Sequence, residues 1–88
     1  MSYPKDTLDA AHKHSSRHRD EIERSAICGC FYCGEICAPP EIKDWLDEED
    51  EEDTALCPSC GIDSLIGSAS GYPVAEPIFL KSMHERFF

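Results

Sequence analysis

The residues best suited to chemistry are cysteines, four of which form two matching pairs. Cys30 and Cys33 form one CxxC pair, Cys57 and Cys60 form the other, and 23 residues separate them. A glycine follows each pair directly, as in tight turns called knuckles, where glycine accepts the positive φ that the turn needs. Two knuckles supply four thiolates, the number that tetrahedral Zn²⁺ takes at about 2.3 Å. The spacing therefore predicts a structural zinc site at these four cysteines.

Iron is the alternative metal, since four thiolates also form the iron site of rubredoxins, and softness does not separate the two metals. A rubredoxin core is built from several aromatic residues, whereas Trp45 is the main aromatic residue between the two pairs. This composition favours zinc as the cofactor. A rubredoxin-like iron electron carrier stays open as an alternative.

A disulfide framework would need an oxidising compartment. The first residues are polar and show no apolar leader region. We therefore expect reduced thiols and a cytoplasmic location. The two remaining cysteines, Cys28 and Cys37, are expected to be buried free thiols. Cys28 is also an alternative to Cys30 as a ligand, but its spacing to Cys33 is not that of a knuckle.

Three histidines lie near the start of the chain, and they suggest a second possible site. His14 and His18 are four residues apart, the helical spacing of a two-histidine metal pair, but no third ligand is obvious nearby. A solvated polar helix face explains the same pattern. The enzyme alternative uses His12, His14, His18 and Asp63 as acid–base groups around a pocket. No residue is assigned a catalytic role.

The charge is strongly acidic and unevenly distributed. The chain has 8 Lys and Arg against 18 Asp and Glu, a formal net charge of −10. The whole excess lies in residues 26–71, and seven acids form the unbroken run 47–53, which is expected to be a solvated, mobile loop. A nucleic-acid partner is disfavoured because phosphate contacts need excess Lys and Arg. No apolar run reaches about 18 residues, so no membrane span is expected. We expect a protein partner.

The elements that must position the cysteines are predicted from apolar spacing and from proline. Residues 6–25 show helical spacing, with a possible break at 15–16. Residues 26–37 are expected to form a strand that enters the first knuckle. Pro40 is expected to start a short helix with apolar residues at i, i+3 and i+4 that pack on the metal site. These apolar residues are Ile42, Trp45 and Leu46.

The second half of the chain is expected to form a hairpin and a final helix. Residues 54–56 and 62–66 are interpreted as the two arms of a hairpin whose turn is the second knuckle. Residues 67–71 are expected to be a flexible connector. The last helix is expected to start near Pro77 and to bury one apolar stripe. The stripe consists of Phe79, Leu80, Met83 and Phe87.

The predicted fold class is α+β, with a zinc-ribbon-like or rubredoxin-like knuckle pair and a short antiparallel sheet between an N-terminal and a C-terminal helix. One zinc-binding domain is expected over residues 1–88. It comprises a polar helical arm over 1–25, a metal-binding core over 26–71 that contains the acidic loop, and a C-terminal helix over 72–88. The predicted function is a small protein-interaction or adaptor module with a structural four-cysteine site.

Several segments also carry a resemblance to known sequences. They are AHKHSS at 11–16, CFYC at 30–33, CPSCGIDS at 57–64, GYP at 71–73, and a last helix with Phe79, Leu80, Met83 and His84. Together they resemble a group of short bacterial cytoplasmic proteins. The resemblance implies a zinc-ribbon-like domain with Cys30, Cys33, Cys57 and Cys60 as ligands, and it brings no established activity. The acidic run looks like a local insertion.

Overall fold

The computed structural model describes residues 3–49 and 51–88, and the fold is α+β, as predicted. The helices are α1 (Lys5–His12), α2 (Arg19–Arg24) and α3 (Pro77–Phe87). The strands are β1 (Cys28–Cys30), β2 (Ile36–Cys37), β3 (Trp45–Leu46), β4 (Thr54–Ala55) and β5 (Leu65–Gly67). No helix in the described part of the chain is long and apolar enough to cross a membrane.

The N-terminal helical segment is broken where the sequence suggested. After α1 a 3₁₀ turn covers Lys13–Ser15, and Ser16 is extended, with φ −148° and ψ 158°. Arg17 then takes a positive φ of 49°, unusual for a residue with a side chain, and α2 starts after His18. The two helical pieces are therefore separated by a sharp turn.

The main sheet is antiparallel, with the strand order β2-β1-β5, so β1 is the central strand. The predicted hairpin of residues 54–56 with 62–66 is wrong. β4 instead pairs with β3, and β5 pairs with β1 in a register that sets Cys30 opposite Leu65. This long-range pairing buries all of β5 and brings the second knuckle to the first, which a local hairpin would not do.

The short helix predicted after Pro40 is also wrong. Only a 3₁₀ turn forms over Pro39–Glu41, where the Glu41 carboxylate accepts a 2.6 Å hydrogen bond from the Ala38 N–H. Trp45 and Leu46 lie in β3. The i, i+3, i+4 pattern fails because its members do not share one buried face: Ile42 is buried, whereas Leu46 is 45% exposed.

Buried apolar side chains form two clusters on either side of β5. One cluster packs α1 and α3 against the back of the first knuckle, and it contains Leu8, Ala11, Phe31, Ile66, Val74, Phe79, Leu80 and Met83. The other surrounds the cysteines and includes Ile22, Ile42, Ala55 and Leu65. Because side chains alternate along a strand, Leu65 and Ile66 face different clusters and join them. α3 starts at Pro77, as predicted.

The acidic run leaves Glu51 and Glu52 exposed to solvent, as predicted, but residues 51–53 also make specific contacts. Asp53 forms a 2.9 Å ion pair with Arg19. Glu52 accepts a 2.6 Å hydrogen bond from the N–H of Asp20, and Glu51 pairs with Arg17. These contacts hold the end of the run against the start of α2. Asp50, within the same run, lies outside the described residues.

Candidate metal centre

The two knuckles have the same backbone hydrogen bonds. In the first, the N–H of Cys30 donates to the carbonyl of Glu35 at 2.9 Å, and the N–H of Gly34 donates to the carbonyl of Cys30 at 2.9 Å. The second knuckle, from Cys57 to Ile62, repeats the two bonds at 3.0 and 2.8 Å. Each CxxCG sequence therefore forms its own turn, and the sheet only has to bring the two turns together.

Glycine is required at the end of each knuckle because the backbone there is left-handed. Gly34 has φ 81° and Gly61 has φ 77°. Apart from the glycine and its two chain neighbours, no described residue has an atom within 4 Å of the position that a Cβ would take at either glycine. Glycine is therefore required here by the backbone conformation and not by a lack of space, since a residue with a side chain is disfavoured at positive φ.

The four sulfur atoms that the spacing predicts lie together. The Sγ atoms of Cys30 and Cys60 are 3.7 Å apart, as are those of Cys33 and Cys57, and all four lie within 4.8 Å of one another. Four sulfurs at about 2.3 Å from one tetrahedral ion are about 3.8 Å apart. The two 3.7 Å distances, each between a sulfur of one knuckle and a sulfur of the other, match this value. The group can therefore hold a metal ion.

The site has a buried side and an open side. Cys30 and Cys57 are 0% and 3% exposed, whereas Cys33 is exposed and Cys60 is half-buried. Each knuckle thus contributes one inner and one outer sulfur. An ion held by all four would lie at the edge of the apolar cluster, close to the surface.

Hydrogen bonds to the Sγ of Cys30 favour the thiolate form of this residue, whereas burial raises the pKa of the outer thiols of Cys33 and Cys60. The Ser64 hydroxyl lies 3.0 Å from the Sγ of Cys30, and the N–H of Cys33 approaches the same sulfur at 3.5 Å. Burial opposes ionisation of Cys30, but these donors outweigh it and lower the pKa of the thiol. The N–H of Ser59 lies 3.4 Å from the Sγ of Cys57. Ser64 is the residue that the sequence did not point to, since serine has no characteristic spacing.

The other two cysteines lie outside this group. Cys28 and Cys37 face each other across β1 and β2, and both are buried and free, as predicted. Burial raises the pKa of Cys28 to about 12 and that of Cys37 to about 11. These thiols therefore stay protonated at neutral pH. Cys28 does not replace Cys30 in the group of four.

The predicted histidine constellation is only partly assembled. His14 and His18 line one polar cleft, but the turn between α1 and α2 prevents the helical i, i+4 geometry. His12 instead stacks on Phe87, with ring centroids 4.1 Å apart, and Asp63 is exposed beside the second knuckle. In the described chain, only the four knuckle cysteines form a group of three or more potential metal ligands.

A groove of about 270 Å³ lies beside the exposed Cys33, between the first knuckle and α3. Its walls include Tyr32 and Ile36, which are 46% and 41% exposed, and its edge carries Lys81. His84 also lines the groove, and its Nδ1 lies 3.1 Å from the Phe31 carbonyl. The groove is therefore mainly apolar with a basic edge. The sequence did not predict that Tyr32 and Ile36 would be exposed and form its apolar walls.

The C-terminal residue extends the apolar surface beside this groove. Phe88 is 57% exposed and packs edge-on against Tyr32 with ring centroids 4.9 Å apart. It also stacks on His84 at 5.4 Å. The end of the chain thus lies against the first knuckle while leaving one aromatic face open.

Comparison of this chain with protein-family models, with curated proteins and with solved structures gives no match. The resemblance to short bacterial zinc-ribbon-like proteins therefore stays a prediction.

Proposed function

We infer that this chain is a small cytoplasmic zinc protein that serves as a protein-interaction module. The observation that carries the zinc site is the group of four sulfur atoms, all within 4.8 Å of one another. Four protein ligands leave no open position on a tetrahedral ion, which is the arrangement of structural rather than catalytic zinc. All six cysteines are free, which supports a reducing compartment.

Zinc is preferred over iron because of the surroundings of the thiols. The apolar cluster around them contains aliphatic residues and cysteines, with Trp45 as a partly buried aromatic residue at its margin. The aromatic side chains Phe31 and Phe79 belong to the other cluster. A rubredoxin-like electron carrier remains the alternative. Visible absorbance separates the two, since a ferric thiolate site is coloured and a zinc site is colourless.

The proposed role of the metal is to hold the fold together. The strands contain only two or three residues each, and the long-range pairing of β1 with β5 brings the two knuckles together. A structural zinc site contributes about 10–16 kcal/mol of apparent binding free energy, which a small domain lacks otherwise.

Removal of the metal tests this role directly. Full demetallation with a chelator, under reducing conditions, is expected to abolish the circular dichroism signal of the folded state and the cooperative melting transition. Restoring one equivalent of Zn²⁺ should recover both. A spectrum and melting temperature that survive complete demetallation would contradict a structural role.

The partner surface that we propose is the groove beside Cys33. We assign to it a protein segment that carries an apolar side chain and a carboxylate. Tyr32 and Ile36 offer apolar surface, and Lys81 makes no ion pair with any described residue. An unpaired lysine beside an apolar groove favours an anionic group on the partner.

A peptide titration tests this surface. A short peptide with leucine and glutamate side chains is expected to shift the backbone amide resonances of Tyr32, Lys81 and His84 in the metal-loaded protein. The same peptide with glutamine in place of glutamate should bind more weakly. Lys81→Gln should abolish that preference, whereas Lys43→Gln, also at the surface, should preserve it. Equal binding of the two peptides would contradict the assignment of an anionic partner.

A further inference from the structure

The two edges of the main sheet differ in what packs beside them. On the β5 side, α2 and the 3₁₀ turn Lys13–Ser15 pack against the strand. On the other side, β2 pairs with β1 and has no described strand beyond it. Ile36 in β2 is 41% exposed and belongs to the wall of the apolar groove. The open edge of the sheet and the groove therefore meet at this residue.

The register of β1 with β2 decides where the backbone groups of Ile36 point. The N–H of Cys30 donates to the carbonyl of Glu35 at 2.9 Å, and Gly29 lies opposite Ile36 in the same ladder. Hydrogen-bonded and non-bonded pairs alternate along an antiparallel ladder, so the Gly29–Ile36 pair is a non-bonded one. The N–H and carbonyl of Ile36 therefore point away from β1, toward the open edge.

The bonds of Gly29 on its other side agree with this geometry. The N–H of Phe31 donates to the carbonyl of Ser64, so Gly29, two residues earlier, is bonded to Ile66 of β5. No described residue forms a hydrogen bond with the backbone N–H or carbonyl of Ile36. An edge strand with free groups of this kind is a template for another strand.

The open stretch of the edge is short, because the neighbouring N–H groups are occupied. The N–H of Gly34 donates to the carbonyl of Cys30 at 2.9 Å. The N–H of Ala38 donates to the Glu41 carboxylate at 2.6 Å. An added strand can therefore form its main-chain hydrogen bonds only at Ile36, and this restriction fixes its register.

An added strand would also place its side chains in the groove. In a paired strand, the residue opposite Ile36 points to the same face of the sheet as Ile36, and so do the residues two positions away. Lys81 lines the same groove and forms no ion pair with any described residue. An apolar side chain beside Ile36 and a carboxylate near Lys81 would therefore be complementary to this surface.

We propose that the partner is a short extended segment that adds a strand to β2, with an apolar residue opposite Ile36 and a carboxylate two positions from it. The proposal rests on the partner surface assigned to the groove above, and it specifies the conformation and register of that partner. A helical segment fits less well, because its main chain cannot bond to Ile36. A second copy of this chain is disfavoured by charge, since each copy carries −10.

The spacing of the two partner side chains is the first test. Two short capped peptides of identical composition are titrated into the metal-loaded full chain, with leucine and glutamate two positions apart in one and four positions apart in the other. The first peptide is expected to bind several-fold more tightly, because only its two side chains share one face of an extended strand. The readout is the backbone amide resonances of Ile36 and Lys81.

Backbone methylation is the second test, and it isolates the main-chain hydrogen bonds. N-methylation of the leucine removes the donor that faces the Ile36 carbonyl and should weaken binding about tenfold. N-methylation of the next residue is the matched control and should leave the affinity nearly unchanged, since alternate N–H groups point away from β2. Amide hydrogen exchange at Ile36 should be fast in the free protein and slow with saturating peptide.

Three results would overturn the proposal. Equal binding of the leucine-methylated and unmodified peptides, with the dependence on Lys81 retained, would exclude strand addition and leave the groove as a partner surface. Failure of every peptide to bind would exclude the partner surface as well. Slow amide exchange at Ile36 in a protein that is dimeric without peptide would assign the edge to a second copy of the chain.

Discussion

The Ser64 hydroxyl lies 3.0 Å from the Sγ of Cys30, and both residues are almost completely buried. Ser64 lies just before β5, and Cys30 ends β1, so the pairing of these strands brings the two atoms together. A buried hydroxyl beside a thiolate donates its proton to the sulfur and holds the sulfur in place. Outer residues of this kind commonly tune the affinity of a metal site.

Replacement of Ser64 should therefore weaken the metal site without destroying the fold. We expect Ser64→Ala to reduce zinc affinity about 10-fold to 100-fold, because the Cys30 thiolate loses its buried donor. Competition with a coloured chelator measures this change. Ser59→Ala is the matched control, since Ser59 is exposed and contacts Cys57 through its backbone N–H. Identical affinities for the two variants would contradict the role assigned to Ser64.

The knuckle glycines should be sensitive to any side chain. Gly34→Ala and Gly61→Ala are each expected to lower the free energy of unfolding by about 1–2 kcal/mol, because alanine is strained at positive φ. Asparagine tolerates this conformation better, so Gly34→Asn should cost less than Gly34→Ala. Urea denaturation of the metal-loaded variants measures these differences. Equal costs for alanine and asparagine would contradict the conformational explanation.

Gly29 should be sensitive for a different reason, which is steric. A Cβ on Gly29 would lie 2.2 Å from the carbonyl oxygen of Val74 and 3.1 Å from a methyl carbon of Leu80. The oxygen belongs to the backbone, so relief of the clash requires the chain to move away from β1. Gly29→Ala is expected to destabilise the protein by about 3 kcal/mol. If Gly29→Ala melts at as high a temperature as Gly34→Ala, the close packing of Val74 and Leu80 against Gly29 would be contradicted.

The buried imidazole should make stability depend on pH. Burial lowers the pKa of His18 below its ordinary value of 6.5, although the charges of Glu21 and Glu52 oppose this shift. Below about pH 6.5 the unfolded chain therefore binds a proton that the folded chain does not, and the folded state loses stability as the pH falls.

Comparison with His18→Leu isolates this effect. The stability of the wild type relative to His18→Leu should fall between about pH 8 and about pH 5.5, because only the wild type carries the imidazole. Contributions from the metal site are common to both proteins and cancel. The measurement is urea denaturation of both proteins across this pH range. A difference that stays constant with pH would contradict the assignment.

The grouping of the four cysteines was predictable because each knuckle is a local structure. Two cysteines, two intervening residues and a glycine are sufficient to form the turn, and the hydrogen bonds of the first knuckle recur in the second. The start of α3 at Pro77 was predictable for the same reason, since proline marks a first helical position from local geometry alone. Features of this kind need no knowledge of distant residues.

The sheet pairing and the turn before α2 were not predictable because they depend on distant residues. Cys30 pairs with Leu65 across 35 positions of sequence, and apolar alternation does not show which strand is the neighbour. The turn at Arg17 and His18 depends on hydrogen bonds that their backbone N–H groups donate to Thr54 and Asp53. The acidic run indicated a loop, but its charges gave no sign that its end would contact the start of α2.

The metal content of the purified protein is the sharpest test of the proposed four-cysteine zinc site. Protein from cells grown without added metal is analysed by native mass spectrometry and elemental analysis, beside Cys60→Ser and the control Cys37→Ser. We expect one zinc ion per chain in the wild type and in Cys37→Ser, with substantial loss in Cys60→Ser. A wild-type protein that is folded without metal, or equal metal content in the two variants, would exclude a structural zinc site at these cysteines.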